Sequence, residues 1–188
     1  GMNWSAGSLA GNIVNSFAIN GANIFAGASD GVYLSTNNGS SWNATFSFAV
    51  NAAALLNNSG NVYAGTNLGL FTTLNNGSTW SKAPLYNMSV YAFTKNGSNL
   101  FAATGGYGIY KSSNDGQNWE TTELNSQVML CFAQNGNYIF SGAIDGVYMS
   151  SNSGMNWIHT SLDNDAVYSM AVSGTTVFAG CSYSFYIS

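Results

Sequence analysis

Ser112-Ser113-Asn114-Asp115-Gly116-Gln117-Asn118-Trp119 is one of four similar eight-residue stretches that decide the fold. The other three occupy 35–42, 73–80 and 150–157, and all four keep Asn, Gly and Trp at the third, fifth and eighth positions. The five tryptophans, at positions 4, 42, 80, 119 and 157, are spaced 38, 38, 39 and 38 residues apart. Self-similarity at a fixed period of this length is typical of repeat folds, in which each unit packs on the next.

Each repeat contains short apolar runs separated by Asn-Gly, Ser-Gly or other Gly-rich turns, a pattern typical of strands rather than helices. In the third repeat it predicts strand A through Val90–Thr94, strand B through Leu100–Ala103, strand C through Ile109–Ser112, and strand D from Trp119. One such sheet cannot bury both of its faces alone. Stacking several sheets around an axis does bury them, as in β-propellers of about four to eight four-stranded blades.

The repeats number five, with bounds at about 5–42, 43–80, 81–119, 120–157, and 158–188 together with 1–4. Gly1–Trp4 has the same sequence as Gly154–Trp157, so the N-terminal stretch is expected to supply the fourth strand of the last blade and to cover its edge. We therefore expect an all-β, five-bladed β-propeller of four-stranded blades, a single domain over 1–188 whose last blade is closed by the N-terminal strand. The alternative is a segment of a larger propeller.

The Trp-ending stretches resemble the Asp-box, or bacterial neuraminidase repeat, written Ser/Thr-x-Asp-x-Gly-x-x-Trp, with Asn in place of Asp in all four. The resemblance implies a sialidase-like propeller in which the boxes are structural: the Asn side chain bonds backbone amides, Gly permits positive φ, and Trp fills the space between turn and sheet. The family spans sialidases, sortilin-type receptors and many secreted bacterial proteins, so the fold does not convey a function. The residues assigned to the boxes are Asn37, Gly39, Trp42, Asn75, Gly77, Trp80, Asn114, Gly116, Trp119, Asn152, Gly154 and Trp157.

Charge is scarce: only 5% of the 188 residues are charged and none is Arg, whereas 22 are Gly and 26 are Asn. A net charge of −4 would repel phosphates, so nucleic acid is excluded as a partner. Sialidases of the family hold the substrate carboxylate with an arginine triad, which this chain lacks. Other glycosidases need two carboxylates at a defined separation, whereas the seven acidic residues fall mostly at turns or on the outer strand. We therefore expect no enzymatic activity and no catalytic residues.

The repeats differ most in the B–C turns and in the connections from strand D to the next strand A. These loops share one face of a propeller, the face opposite the boxes, and such loops commonly carry function. Aromatic rings beside carboxylates and amides suit a sugar or a peptide, and unconstrained surface drift is the alternative. The candidate ligand-binding residues are Asp30, Tyr86, Tyr107, Asp145, Asp163, Asp165 and Tyr183.

These features favour a non-enzymatic recognition or scaffold module that binds a protein or a glycan on the B–C and D–A loop face. The alternatives are a lectin with several similar sugar sites and, less in keeping with the missing Arg, a glycosidase-like enzyme.

We predict no cofactor and no metal site, because one His and two distant Cys are too few. No stretch is apolar enough to span a membrane. A secreted or cell-surface location in a bacterium is expected; no signal peptide is seen, and Gly1 before Met2 resembles a tag remnant.

Overall fold

The computed structural model describes residues 7–9, 11–47 and 50–188. Within these ranges the chain forms nineteen β-strands and no helix, so none of the described residues belongs to a helix capable of crossing a membrane. The strands are β1 (Val14–Asn20), β2 (Asn23–Ala28), β3 (Gly31–Ser35), β4 (Asn43–Phe46), β5 (Ala52–Asn58), β6 (Asn61–Thr66), β7 (Gly69–Thr73), β8 (Ser81–Tyr86), β9 (Val90–Asn96), β10 (Asn99–Thr104), β11 (Ile109–Ser112), β12 (Glu120–Thr121), β13 (Met129–Asn135), β14 (Tyr138–Ala143), β15 (Gly146–Ser150), β16 (Ile158–Asp163), β17 (Val167–Ser173), β18 (Thr176–Cys181) and β19 (Phe185–Ile187).

The strands form five antiparallel sheets in which neighbours in the sheet are also neighbours in the chain. Sheets 1 to 4 hold four strands each (β1–β4, β5–β8, β9–β12 and β13–β16), and sheet 5 holds β17–β19. This up-and-down order is that of propeller blades, so the predicted all-β propeller fold is confirmed as five blade-like sheets. The stretch 1–4, predicted to complete the last blade, lies outside the described residues.

The strand ends differ slightly from those that the sequence predicts. β9 extends beyond Thr94 because the A–B hairpin stays paired down to Asn96 and Asn99 at its tip, and β10 extends beyond Ala103 because Thr104 pairs with Val90. The predicted start of strand D at Trp119 is wrong by one residue, since β12 begins at Glu120. The reason is that pairing with strand C begins one residue after the Trp, where Glu120 lies opposite Lys111.

The chain clusters into two compact units, Gly1–Asn87 and Met88–Ser188. In the first unit, sheets 1 and 2 bury Phe25 completely, and the Trp80 ring meets it edge-on with centroids 6.4 Å apart. In the second unit, Phe101 and Trp157 belong to one apolar cluster built by sheets 3 and 4, and Val167 of sheet 5 belongs to another. The single domain over 1–188 stays a sequence-based prediction.

Each Trp-ending stretch folds into the same hydrogen-bonded turn, which we call the Asn turn (35–42, 73–80, 112–119 and 150–157). In the third Asn turn, Asn114 Oδ1 accepts hydrogen bonds from the Ser112 hydroxyl at 3.0 Å and the Asn118 N–H at 2.9 Å. The Ser112 hydroxyl oxygen accepts the Gly116 N–H at 2.9 Å. The same three bonds recur in the other three turns. An amide oxygen is therefore a sufficient acceptor at the third position.

The fifth position of the Asn turn requires Gly on two grounds. Gly154 has a φ of +77°, in the left-handed region that other residues rarely adopt. A Cβ at Gly154 would also lie 2.2 Å from Phe101 Cε1 of the preceding sheet. Gly77 approaches Phe25 in the same way, where a Cβ would lie 3.1 Å from Cε1. The turn thus closes a hairpin and also seats one sheet against the next within each unit.

At the opposite end of the sheets, asparagines at the A–B hairpin tips connect neighbouring sheets. We call Asn20, Asn96 and Asn135 the hairpin asparagines. Their Nδ2 groups donate to the carbonyl oxygens of Gly60 at 2.9 Å, Gly136 at 2.8 Å and Gly174 at 2.8 Å, each in the next hairpin along the chain. Asparagine is thus used both inside the Asn turns and between sheets, which accounts for much of the unusual composition.

Candidate functional site

Sheet 1 carries the candidate residue Asp30 in the B–C turn between β2 and β3. Its Oδ2 accepts a hydrogen bond of 2.8 Å from the Tyr33 hydroxyl, and Asn12 Nδ2 donates to the same hydroxyl oxygen at 3.2 Å. The hydrogen bond to Asp30 raises the pKa of Tyr33, and desolvation adds to the rise. The exposed carboxylate of Asp30 is thereby held in one orientation at the B–C end of the sheet.

Sheet 4 repeats this pair with Asp145 and Tyr148. Asp145 Oδ2 accepts a hydrogen bond of 3.0 Å from the hydroxyl of Tyr148, a residue that is only 7% exposed. Burial raises the pKa of Tyr148, the hydrogen bond to Asp145 raises it further, and a hydrogen bond with Gln127 lowers it. The other carboxylate oxygen, Asp145 Oδ1, is buried and has no hydrogen-bond partner among the residues that the structure describes.

His159 adds an exposed aromatic ring to the pair in sheet 4. It lies on β16, and its ring stacks on Tyr148 with centroids 4.5 Å apart and planes inclined by 27°. Its Nε2 lies 3.2 Å from the Asp145 carbonyl oxygen. Sequence reasoning missed this residue, and comparison of the repeats offers no signal for it, because Ala44 and Lys82 occupy the corresponding positions.

The B–C turn of sheet 4 and the end of β16 meet through a glycine. Gly146 has a φ of +133°, and a Cβ there would lie 2.1 Å from the Leu162 carbonyl oxygen. Because of this close approach, Asp163 pairs with Gly146 in the sheet, and the Asn164 N–H donates to the Asp145 carbonyl oxygen at 3.0 Å. The structure therefore brings two of the candidate acids, Asp145 and Asp163, to the same end of sheet 4.

Sheet 5 forms an acid–tyrosine pair from a different loop. Asp165 precedes β17, and its Oδ2 accepts hydrogen bonds from the Ser184 hydroxyl at 3.2 Å and the Tyr186 hydroxyl at 3.3 Å. The carboxylate also lies near Cys181, whose pKa is raised first by burial and then by Asp165. In this sheet the B–C position itself holds Tyr183, so the acid comes from the connection between β16 and β17 instead.

The remaining candidates are tyrosines with large exposed surfaces. Tyr86, in the first unit, is 56% exposed beside an open pocket lined by Lys82, Ala83 and Pro84. In the second unit, Tyr107 is 48% exposed between β10 and β11, and Tyr183 is fully exposed between β18 and β19. No hydrogen bond joins one of the seven candidate side chains to another within the described part of the chain. They lie at the ends of the individual sheets, with Asp145 and Asp163 together in sheet 4 and Asp165 near Tyr183 in sheet 5.

The tyrosine partners of the acids are candidate functional residues that the sequence analysis did not name. Tyr33 and Tyr148 lie three residues after the B–C acid of their repeats, and Tyr186 lies three residues after Tyr183. The repeats carry a usable signal, since an aromatic residue occurs at this strand-C position in all five. Sheet 2 has Leu68 and Phe71 there, neither of which could form such a hydrogen bond.

Five blade-like antiparallel sheets with variable polar turns define a propeller-class protein. No protein-family model and no curated protein matches its sequence. Among solved structures, it is similar to an ancestral GH74 enzyme, with 25% identity, a TM-score of 0.76, and coverage of 93% of this chain and 29% of that one. It is also similar to the extracellular domain of BT4673 from B. thetaiotaomicron, with 18% identity, a TM-score of 0.76, and coverage of 93% and 27%.

A third similar structure is the GH74 xyloglucanase from Xanthomonas campestris, with 13% identity, a TM-score of 0.70, and coverage of 94% of this chain and 36% of that one. The chain therefore spans about a third or less of the length of these structural relatives. At such identities, the xyloglucanase and BT4673 show the fold alone.

Proposed function

We propose that this domain is a non-enzymatic recognition module that binds a glycan or a protein through the B–C ends of its sheets. The observation that carries the proposal is the acid–tyrosine pair at the B–C end of sheets 1, 4 and 5. Each pair fixes the orientation of a carboxylate, and the carboxylate oxygens that are not buried, unlike Asp145 Oδ1, can accept hydrogen bonds from a ligand. The exposed rings of Tyr107 and Tyr183 supply apolar faces on which a sugar ring or an apolar side chain can pack.

The test compares tyrosines at opposite ends of the sheets. Tyr107→Ala removes a ring at a B–C turn, whereas the control Tyr138→Ala removes a ring of similar exposure, 47%, at an A–B hairpin. The labelled wild-type chain is screened on glycan and peptide arrays, and its hits are titrated with both variants. We expect Tyr107→Ala to weaken binding by about tenfold, as for the loss of a stacked ring, while Tyr138→Ala does not. Equal losses in both variants would contradict the proposed surface.

The absence of catalysis is part of this proposal and has its own assay. Three of the acids accept hydrogen bonds from tyrosines, an arrangement suited to holding a ligand, and the chain has no Arg. The likeness to GH74 enzymes selects the substrate to try first, since one of them is a xyloglucanase. We expect no release of reducing sugar from xyloglucan or from chromogenic glycosides. Turnover that is lost in Asp145→Asn would replace the proposal with an enzymatic one.

A lectin with several similar sites is the second candidate, and the repetition of the pair favours it. Asp30–Tyr33 and Asp145–Tyr148 have the same sequence spacing and hydrogen bonds of 2.8 and 3.0 Å. A multisite lectin would lose one binding site in Asp30→Asn and another in Asp145→Asn, measured as stoichiometry by calorimetry on a sugar hit. An unchanged stoichiometry in both variants would eliminate this candidate.

We further propose that the Asn turns are an Asn form of the Asp-box and that the domain acts outside the cell. The shared Ser/Thr-x-Asn-x-Gly-x-x-Trp pattern and its three hydrogen bonds support the first point. The likeness to the extracellular domain of BT4673 supports the second. Fractionation of source cells with an antibody against this chain tests the location, and recovery from the cytosol alone would overturn it.

A further inference from the structure

The sequence holds five Asn-Gly dipeptides, which begin at Asn20, Asn38, Asn76, Asn96 and Asn135. Asparagine is thermally labile at such sites because the next backbone nitrogen, once deprotonated, attacks the side-chain Cγ. A five-membered succinimide forms, ammonia leaves, and water opens the ring to aspartate or isoaspartate. Proximity drives the attack, and a following Gly offers no Cβ to obstruct it. The structure divides these five sites into two classes.

In the Asn turns the attacking nitrogen is already engaged. The Gly39 N–H donates to the Ser35 hydroxyl oxygen at 2.8 Å, and the Gly77 N–H donates to the Thr73 hydroxyl oxygen at 2.9 Å. Gly77 is buried and Gly39 is half-buried, so base has restricted access to these amides. Asn38 and Asn76 are exposed, but the nitrogen that must attack them is not free to do so.

In the A–B hairpins the restraint is on the side chain instead. Gly21, Gly97 and Gly136, which supply the attacking nitrogens, are exposed. Each hairpin asparagine is held by the hydrogen bond of 2.8 to 2.9 Å from its Nδ2 to the next hairpin. Two of the three donate a second hydrogen bond, Asn20 Nδ2 to Asn76 Oδ1 at 2.9 Å and Asn96 Nδ2 to Gln134 Oε1 at 3.4 Å. Such side-chain hydrogen bonds at a hairpin tip open by local fluctuation more readily than the hydrogen bonds of the Gly39 and Gly77 backbone N–H groups inside the Asn turns.

We propose that Asn20, Asn96 and Asn135 are the spontaneous deamidation sites of the folded protein and that Asn38 and Asn76 resist. Exposure of the Asn side chains alone predicts the opposite order, since Asn96 is only 8% exposed. Deamidation at Asn135 replaces the Nδ2 donor with a carboxylate that faces the Gly174 carbonyl oxygen. Each event therefore removes a bond between neighbouring sheets and adds a negative charge to a chain of net charge −4.

The test is peptide mapping by mass spectrometry after incubation of the full chain at mildly alkaline pH, with isoaspartate detected separately. We expect conversion at the three hairpin sites to be at least about tenfold faster than at the two Asn-turn sites, and the five rates to converge in denaturant. Asn135→Gln, whose longer side chain does not form the five-membered ring, should remove the signal at that site alone. Equal rates in the folded chain, or faster conversion at Asn38 or Asn76, would overturn the proposal.

A second measurement tests the structural consequence. Asn135→Asp mimics the product, and the control Asn137→Asp places the same charge on an exposed residue of the same hairpin tip. We expect only Asn135→Asp to lower the thermal midpoint, because only Asn135 donates to the next sheet. An equal loss in both variants would attribute the effect to charge and would overturn the proposed consequence.

Discussion

Asn114→Ala tests whether the amide oxygen organises the Asn turn. The change removes two hydrogen bonds, from the Ser112 hydroxyl at 3.0 Å and from the Asn118 N–H at 2.9 Å. Each is worth about 1 kcal/mol, and Ser112, which is 1% exposed, loses its acceptor in a site that water does not reach. The expected loss of unfolding free energy is therefore about 2 to 3 kcal/mol, or about 5 to 10 °C in the midpoint for a chain of this size.

The assay is thermal unfolding followed by circular dichroism, with two comparison variants. Asn114→Asp keeps an oxygen acceptor for both donors, so its midpoint should stay within about 3 °C of wild type. Asn125→Ala makes the same truncation at an exposed loop position and should be neutral. The reasoning would be refuted if Asn114→Ala melted like wild type, or if Asn114→Asp were as damaging as Asn114→Ala.

Two further predictions concern packing and pH. Gly154→Ala should lower the free energy of unfolding by about 3 kcal/mol or more, because the strain of a left-handed backbone adds to a Cβ contact of 2.2 Å with Phe101. The control Gly174→Ala introduces only the backbone strain, about 1 kcal/mol. Equal decreases of the thermal midpoint in the two variants would contradict this prediction. Burial raises the pKa of the Cys131 thiol to about 11 from 9.0. The protonated thiol therefore leaves the free energy of unfolding unchanged below pH 9, and this free energy falls as the pH rises towards 11, because the thiol ionises first in the unfolded chain. In Cys131→Ala, the free energy of unfolding measured by denaturant titration should fall less steeply between pH 9 and 11 than in the wild type. The same pH dependence in both proteins would contradict the prediction.

The repeat spacing was sufficient to predict the sheets because the blade-forming interactions recur at fixed positions. In all four Asn turns the Asn at the third position accepts the same two hydrogen bonds, and the Gly at the fifth position has a positive φ. Strand ends were less predictable because they depend on how far a hairpin stays paired. β9 continues to Asn96 because Asn99 lies opposite, which no composition rule states.

The candidate site was predictable only in part, because its geometry depends on contacts between loops. Asp30 and Asp145 were predicted as candidates because the repeats differ at this B–C position. The same comparison did not predict the tyrosines that orient the two acids. His159 Nε2 lies near the Asp145 carbonyl oxygen, and β16 pairs with β15 with a register shift between Gly146 and Tyr148 that the sequence of a single repeat does not reveal. The repeat pattern predicts that Asp165 lies in a connecting loop. It does not predict the hydrogen bond from Tyr186, which lies twenty-one residues further along the chain.

The acid–tyrosine pair occurs in some sheets and not in others, so the sheets can be compared to ask whether folding requires it. Sheet 2 has Leu68 and Phe71 at the positions of the acid and the tyrosine, and its strands pair in the same order as those of sheets 1 and 4. A blade-like sheet therefore forms without an acid–tyrosine hydrogen bond at its B–C end. In sheet 5 the pair is present although the acid comes from another loop, at Asp165. Since sheet 2 folds without the pair, and the pair arises from two different loops, we propose that it serves binding rather than stability.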